Sequence, residues 1–194
     1  MIQHIIPKFL DILYDEEIKS LVSLDEVRDA FHTNQILSKN KAIAAYDSIH
    51  RDGIKILYIG SWFGVLTNYI LENYNTFVAE LDMDMRCNKL SSRLNFRHSR
   101  YLGNFVADIN VFDRMHEYDA IINLSTEHMS ADWFARVKPG TLLVMQSNNL
   151  KVDDHINTCI DLDDMKNKYP LTSVSYSNTL ELNVFNRFTL AGTK

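Results

Sequence analysis

Residues 55–70 of the chain read KILYIGSWFGVLTNYI, and the order of patterns in this stretch decides the fold class. The apolar run KILYI is typical of a buried strand, and the residues after Gly64 place apolar side chains at helical spacing. Between them lies a turn with a glycine at each end, Gly60 and Gly64. A strand, a glycine turn and a helix in succession predict the first unit of a parallel sheet.

The segments after this unit repeat the alternation of strand and helix. Further strand candidates are the apolar runs TFVAEL, NFVADI, YDAIINL and GTLLVMQS. Strands that helices cover on both faces read as such continuous runs. The end of the chain differs, because LTSVSYSNTLEL and NRFTLAGTK follow one another without an intervening helix. We therefore predict an α/β fold, a doubly wound and mostly parallel sheet of seven strands that ends in an antiparallel hairpin.

The segment before this sheet is predicted to be helical. The runs LDILYDEEIKSLV and LDEVRDAFHTNQIL place apolar residues three and four apart. Ser23, with Glu26 three residues later, matches a capping box at the start of the second run. We predict an N-terminal helical cap at residues 1–50 and the α/β domain at residues 51–194.

The composition is that of an ordinary globular domain, with 194 residues, 46% of them hydrophobic, and a net charge of −5. The acidic balance disfavours binding to long nucleic acid without excluding it. Cys87 and Cys159 are far apart and the histidines have no metal-ligand spacing, so no metal site is predicted. The two cysteines without a pairing pattern predict a reducing, cytoplasmic setting. We find neither a signal-peptide pattern nor an apolar run of about 20 residues, so no membrane partner is predicted.

A carboxylate follows the second predicted strand, at Asp82. In an open α/β sheet, ligands bind at the C-terminal ends of the strands, and the first two strands are neighbours in the usual winding. A glycine turn lets backbone approach a ligand, and a carboxylate about 20 residues later accepts hydrogen bonds from ribose hydroxyls. Gly60 and Asp82 therefore predict a nucleoside site. The alternative is that Gly60 and Gly64 only permit a tight turn.

The residues between the two glycines restrict the ligand. A pyrophosphate needs GxGxxG, because its phosphates lie against bare backbone at a helix N-terminus. Here the bulky residues Trp62 and Phe63 occupy the turn, which disfavours a dinucleotide. A nucleoside without phosphates, such as S-adenosylmethionine, fits better. The two aromatic residues either line the pocket or belong to the core.

With these residues in place, the chain resembles the class I, Rossmann-like S-adenosylmethionine-dependent methyltransferases over residues 54–194. The first motif of that family is an acidic residue, one residue and GxGxG; the outer glycines match here, but Tyr58 stands at the acidic position. Asp82 and Asp108 match acidic residues after the second and third strands, of which the latter often meets the adenine amino group. The resemblance implies a cofactor site formed by Gly60, Ser61, Trp62, Phe63, Gly64, Asp82, Met83, Asp108 and Asn123.

A narrower resemblance connects the chain with a methyltransferase-like group of tailed phages. The motifs that carry it are GSWFG, DMD, NLSTEHM and RFTLAGTK. This resemblance implies a location in the host cytoplasm. It does not identify the methyl acceptor.

The stretch NLSTEHM, residues 123–129, follows the fourth predicted strand, where catalytic and substrate-facing residues lie in the family. Asn123 alone remains of the D/N-P-P-Y/F motif of DNA amino-methyltransferases, and its side chain could instead bond nearby backbone. Glu127 and His128 are the candidates for a general base, since both can take a proton near neutral pH. The alternative is a helix N-terminal turn with solvated charges. The basic segment around Arg93 and Arg100 could grip a phosphate or form a solvated face.

Three functions remain open from the sequence. The first is a methyltransferase that uses S-adenosylmethionine on a small molecule or nucleotide. The second is an S-adenosylmethionine-binding protein with another transfer, sensor or scaffold role. The third, a nicotinamide-dependent oxidoreductase, is disfavoured by the missing GxGxxG.

Overall fold

A computed structural model describes residues 2–194. Its seven strands form one sheet in the order β3-β2-β1-β4-β5-β7-β6. The strands are β1 Lys55–Ile59, β2 Phe77–Asp82, β3 Tyr101–Val106, β4 Ala120–Asn123, β5 Leu142–Asn148, β6 Ser173–Glu181 and β7 Asn186–Thr193. Strands β1 to β5 pair in parallel, whereas β7 is antiparallel to both β5 and β6. The predicted fold, including the terminal hairpin, is confirmed.

Eight α-helices surround the sheet in the described part of the chain. They are α1 Ile6–Ile12, α2 Glu16–Lys19, α3 Leu24–Ala30, α4 Thr33–Asp47, α5 Val65–Asn73, α6 Met85–Asn95, α7 Asp132–Ala135 and α8 Leu162–Lys168. Short 3-10 segments are Ile2–Ile5, Arg114–Glu117 and Thr126–His128. None of the helices within residues 2–194 is long and apolar enough to cross a membrane.

The N-terminal helices are more broken than their periodicity suggested. Each predicted run divides into two helices, and a side-chain cap begins the second one. Asp15 accepts a hydrogen bond from Glu17 N at 3.0 Å, and His32 Nδ1 accepts one from Asn34 N at 3.2 Å. Such local bonds compete with the continuing helix. The capping box of Ser23 and Glu26 is confirmed, with both reciprocal bonds present.

Apolar clusters lie on both faces of the sheet. Along β1, Ile56 and Tyr58 belong to one cluster and Leu57 and Ile59 to the other, as the alternation of side chains in a strand requires. The first cluster includes N-terminal residues such as Phe9, and α4 packs against β5, β6 and β7. Residues 2–50 therefore share the core of the sheet, and a domain boundary at residue 50 stays a prediction.

A buried polar network connects the elements around β2. Glu80 is fully buried and accepts hydrogen bonds from the hydroxyls of Thr67 on α5, Ser91 on α6 and Tyr101 on β3. Burial raises the pKa of Glu80 to about 7, against the lowering effect of these three donors. One carboxyl group thus joins two helices to two strands beside the predicted site.

The register of the strands places the site. Ile59 pairs with Leu81 on β2 and with Asn123 on β4, so these three strands end at the same edge of the sheet. The strand order reverses between β1 and β4, which is the switch point where ligands bind in open α/β sheets.

Candidate cofactor and substrate cleft

A cleft of about 550 Å³ opens at this edge of the sheet. Nine of the predicted site residues line it, namely Gly60, Ser61, Trp62, Phe63, Asp82, Met83, Asp108, Glu127 and His128. Gly64 and Asn123 are not part of its wall. The wall also includes Asp29, Gln35, Ser38 and Lys39 from the N-terminal helices, so the predicted cap does contribute to the cleft.

The turn after β1 has an unusual backbone at Trp62. Its φ is +51°, a left-handed conformation that non-glycine residues rarely adopt, and Gly60 beside it has φ +63°. Trp62 therefore takes the backbone form expected of the glycine that it replaces in the motif. Strained residues of this kind cluster at ligand sites. The indole ring is half-buried and packs against Phe63, with ring centres 4.8 Å apart.

Phe63 and Gly64 hold the turn in the core. The Phe63 ring is buried and stacks on Phe9 of α1 at 5.5 Å, so this residue both lines the cleft and serves the core. A Cβ on Gly64 would lie 1.9 Å from Ser91 Oγ and 2.6 Å from Asn95 Nδ2. The close approach of α6 therefore requires a glycine at position 64. This is a structural role and not a ligand contact.

Asp82 connects the ends of β1 and β2. Its Oδ2 accepts a hydrogen bond from Trp62 N at 2.9 Å, and its Oδ1 accepts one from Asp84 N at 3.0 Å. Burial raises the pKa of the Asp82 carboxyl above its usual range, opposed by these backbone donors. Each carboxylate oxygen keeps a second lone pair for a ligand. Asp84 caps α6, and its Oδ1 accepts a hydrogen bond from Arg86 N at 2.8 Å.

Asp108 lies beyond the end of β3 and lines the cleft. Its Oδ1 accepts a hydrogen bond from Asn110 N at 2.8 Å, which forms a local turn. Both readings of Asp108, the turn and the ligand contact, are compatible with this geometry.

Asn123 is fully buried at the end of β4 and bonds its own turn. Its Oδ1 accepts from Ser125 N at 3.1 Å, and its Nδ2 donates to Met129 Sδ at 3.2 Å. The side chain thus satisfies nearby groups, and a direct contact with a ligand in the cleft would require these bonds to break.

Glu127 is buried in the turn after β4, whereas His128 is exposed beside it. Glu127 Oε1 accepts a hydrogen bond from Asn148 Nδ2 at 2.5 Å and lies 3.4 Å from Arg187 Nη2. His128 Nδ1 lies 3.3 Å from Asp154 Oδ2. Both residues line the cleft, but Glu127 is held by partners rather than solvated as a loop charge would be.

Four buried polar atoms of cleft residues have no partner within the described chain. They are Ser61 Oγ, Gln146 Oε1, Glu127 Oε2 and Arg187 Nε. Buried polar groups without partners are costly and are normally satisfied. A polar ligand in the cleft could supply the missing partners.

The lysine and the arginine that line the cleft, Lys39 and Arg187, were not identified from the sequence. Lys39 is buried on α4, and Arg187 on β7 has a side chain that is 11% exposed; both line the cleft from segments distant from the glycine turn. The Lys39 ammonium lies 5.5 Å from the centre of the Trp62 ring, a cation–π contact. Gln146 of β5 donates to Ser38 O at 2.8 Å and fastens α4 to the sheet. Isolated polar residues in apolar strands and helices give no sequence signal of this kind.

Replacement of Lys39 by methionine is expected to stabilise the fold. Burial, with Arg187 nearby, lowers the pKa of Lys39 from 10.5 to about 8, so the ammonium costs about 3 kcal/mol at neutral pH. Because the cation–π contact is lost as well, we expect Lys39→Met to raise the free energy of unfolding by about 1–2 kcal/mol. Urea unfolding at pH 7 measures this gain.

The pH dependence of this gain follows from the direction of the pKa shift. Between pH 8 and 10.5 the folded chain has lost the Lys39 proton while the unfolded chain keeps it, so the wild type gains stability with rising pH. The advantage of Lys39→Met should therefore shrink at pH 9.5. Lys41→Met on the same helix is the matched control, and an equal gain there would contradict the assignment.

The basic segment near residues 93–100 serves the structure. Arg93 lies 3.4 Å from Asp15, and Arg100 Nη2 donates to the backbone oxygens of Leu71 and Tyr74 at 2.8 and 3.2 Å. Neither arginine lines the cleft. These contacts support the structural alternative over a phosphate grip.

The fold is similar to that of Rossmann-like S-adenosylmethionine-dependent methyltransferases of known structure. One similar structure is the N-methyltransferase NodS from Bradyrhizobium japonicum WM9 in complex with S-adenosyl-L-homocysteine, with a TM-score of 0.68, 13% identity, and 91% of this chain and 97% of that chain covered. Another is magnesium protoporphyrin IX methyltransferase from Synechocystis PCC 6803 with bound S-adenosylmethionine, with a TM-score of 0.63, 10% identity, and 83% and 79% covered.

A third similar structure is the [4+2]-cyclase SpnF, with a TM-score of 0.65, 9% identity, and 82% of each chain covered. No family model matches the chain, and no curated protein matches it. At these identities the likenesses establish the fold.

Proposed function

We propose that the protein binds S-adenosylmethionine in the cleft and transfers its methyl group to a small-molecule or nucleotide acceptor. The observation that carries this proposal is the pairing of Asp82 with the left-handed Trp62 turn at the switch point of the sheet. Asp82 would accept hydrogen bonds from the ribose hydroxyls, and Asp108 would meet the adenine amino group. Met83, which is 70% exposed beside Asp82, would cover the adenosine.

The residues of the cleft fit this cofactor. Ser61 Oγ is buried without a partner at the turn, where the amino-acid end of the cofactor would lie. The Trp62 side chain leaves no bare backbone for phosphates, and S-adenosylmethionine has none. The cofactor supplies an activated methyl group on a sulfonium. A contact of Gly64 or Asn123 with the cofactor has less support than the other contacts, because neither residue lines the cleft.

The acceptor side of the cleft would be formed by the N-terminal helices and the turn after β4. The cofactor would supply its methyl group to the acceptor atom and would leave the site as S-adenosylhomocysteine. Alignment in a dry site supplies most of the acceleration of such a displacement. Glu127 Oε2 or His128 would take the proton that the acceptor loses.

Binding of the cofactor without methyl transfer is the second candidate. The altered first motif, with Tyr58 and Trp62, motivates it, and the fold of SpnF supports a different chemistry on this scaffold. A role as a nicotinamide-dependent oxidoreductase is less favoured because the turn lacks the GxGxxG pattern that receives a pyrophosphate. Membership of the tailed-phage group and a cytoplasmic location remain proposals that rest on the sequence motifs alone.

Calorimetric titration tests the proposal directly. We expect S-adenosylmethionine and S-adenosylhomocysteine to bind with one site per chain and NAD to bind at least about tenfold more weakly, a difference of about 1.4 kcal/mol. Absence of binding by the first two ligands would overturn the proposal. Formation of S-adenosylhomocysteine with a panel of small hydroxyl, amine and nucleotide acceptors would then separate the methyltransferase from the binding protein.

A further inference from the structure

Two histidines and a glutamate meet beside the cleft. Glu127 and His128 lie in the turn after β4 and His155 in the loop after β5, and one potential ligand atom of each lies within 4.8 Å of the others. Within residues 2–194 no second group of three such side chains has this spacing. The chain separation of the histidines explains why sequence spacing predicted no metal site.

The two imidazoles are oriented by their Nδ1 atoms. His155 Nδ1 lies 2.8 Å from Leu150 O, and a carbonyl oxygen can only accept, so Nδ1 carries the hydrogen. His128 Nδ1 lies 3.3 Å from the Asp154 carboxylate, which favours a hydrogen on that nitrogen. In the neutral form of both rings, Nε2 then keeps its lone pair. A histidine that binds a metal through one nitrogen almost always donates the other to such an oxygen.

One carboxylate oxygen of Glu127 has polar partners, and the other has none within the described chain. Asn148 and Arg187 both contact Oε1, whereas Oε2 is buried without a partner and the side chain is only 1% exposed. A structural ion pair would leave Oε2 at the cost of an unsatisfied buried acceptor. A cation at Oε2 would remove that cost, and this observation is independent of the clustering of the histidines.

We propose that Glu127 Oε2, His128 Nε2 and His155 Nε2 bind a divalent transition metal ion of the zinc class. Two imidazoles and one carboxylate are a ligand set of catalytic zinc sites, which keep an open position for a further ligand. Magnesium and calcium prefer all-oxygen sites, so they fit less well. A metal bound here would make Glu127 and His128 ligands in place of general bases, and it would revise the sequence-based expectation of no metal.

The open position of the metal would face the cleft, because Glu127 and His128 line it. An acceptor with a hydroxyl or carboxylate oxygen could bind there, and the metal would then lower the pKa of a bound hydroxyl. If the proposed function holds, the acceptor would therefore be a molecule with a hydroxyl or carboxylate oxygen. Metal binding itself does not depend on it.

Titration of the chelator-treated full-length protein with Co²⁺, followed by visible absorption, tests the site. We expect one equivalent to bind and Zn²⁺ to displace it. His155→Ala and Glu127→Gln should each weaken binding by more than about 100-fold, since even supporting residues of metal sites contribute 10–100-fold. His116→Ala is the matched control, because the imidazole of this exposed histidine bonds Asp113 O and lies outside the cluster.

The possible results separate the two proposals. No Co²⁺ binding by the wild type, or equal binding by wild type and a folded His155→Ala, would overturn the metal site. Thermal unfolding verifies the fold of each variant. Calorimetry with S-adenosylhomocysteine on metal-free protein is run in parallel, and we expect His155→Ala to bind it like the wild type. Co²⁺ binding without cofactor binding would retain the metal site and reject the proposed function.

Discussion

Asp82→Ala is expected to weaken the binding of S-adenosylhomocysteine by about 100-fold, close to 3 kcal/mol. The substitution would remove the charged hydrogen bonds between the Asp82 carboxylate and the ribose, each worth about 1.5–3 kcal/mol. The Trp62 N–H would also lose its acceptor, since Asp82 Oδ2 holds it at 2.9 Å. Calorimetry on Asp82→Ala and on Asp113→Ala, an exposed aspartate outside the cleft wall, measures the effect against a matched control.

The two causes of this loss can be separated with modified ligands. If Asp82 accepts from the ribose, 2′-deoxy and 3′-deoxy analogues of S-adenosylhomocysteine should bind weakly to the wild type and lose little more in Asp82→Ala. If Asp82 only positions the turn, the variant should lose the same factor with every analogue. Unchanged affinity for the unmodified ligand would reject the ribose assignment altogether.

Glu80→Ala is expected to reduce the free energy of unfolding by about 3–5 kcal/mol, a large share of the 5–15 kcal/mol typical of a domain. The substitution leaves the hydroxyls of Thr67, Ser91 and Tyr101 without their shared acceptor and opens a cavity between α5 and α6. Glu80→Gln is the matched control, because it keeps the shape and an acceptor. Urea unfolding of the three proteins gives the comparison.

The free energy of unfolding of Glu80→Gln relative to the wild type is expected to depend on pH. The pKa of Glu80 is raised from 4.5 to about 7, so between these values the folded chain holds a proton that the unfolded chain has released. The contribution of Glu80 to stability is therefore fully present below pH 4.5 and declines as the pH rises through 7, by about 3 kcal/mol. Glu80→Gln cannot titrate, so its stability relative to the wild type should rise between pH 5 and pH 8. A constant difference would contradict a carboxyl that is protonated in the fold.

The sequence contained most of the information about the fold, for a physical reason. Strands buried on both faces are continuously apolar, and the hairpin lacked an intervening helix, so order and sheet type followed from local patterns. The helical runs before β1 were less predictable. Their breaks depend on caps such as Asp15 and His32, whose side chains compete with apolar periodicity.

The candidate site was predictable only where it follows a strand end. Asp82 and the glycine turn each follow a predicted strand, and the structure joins them through the hydrogen bond from Trp62 N to Asp82 Oδ2. Lys39 and His155 enter from elements that pattern reasoning treats as a helix face and a loop, and only the tertiary fold brings them to the cleft region. Asn123 shows the converse, since a polar residue in the expected position turned inward to its own turn.

The left-handed backbone of Trp62 also has an evolutionary consequence. A glycine at this position would relieve the strain, so retention of tryptophan requires a gain from its ring, and the ring lies beside the Lys39 ammonium. The two residues then constrain each other. Among homologues we expect them to covary, with a glycine in the turn accompanied by loss of the lysine on α4, because neither an isolated buried cation nor a strained indole has a reason to persist alone.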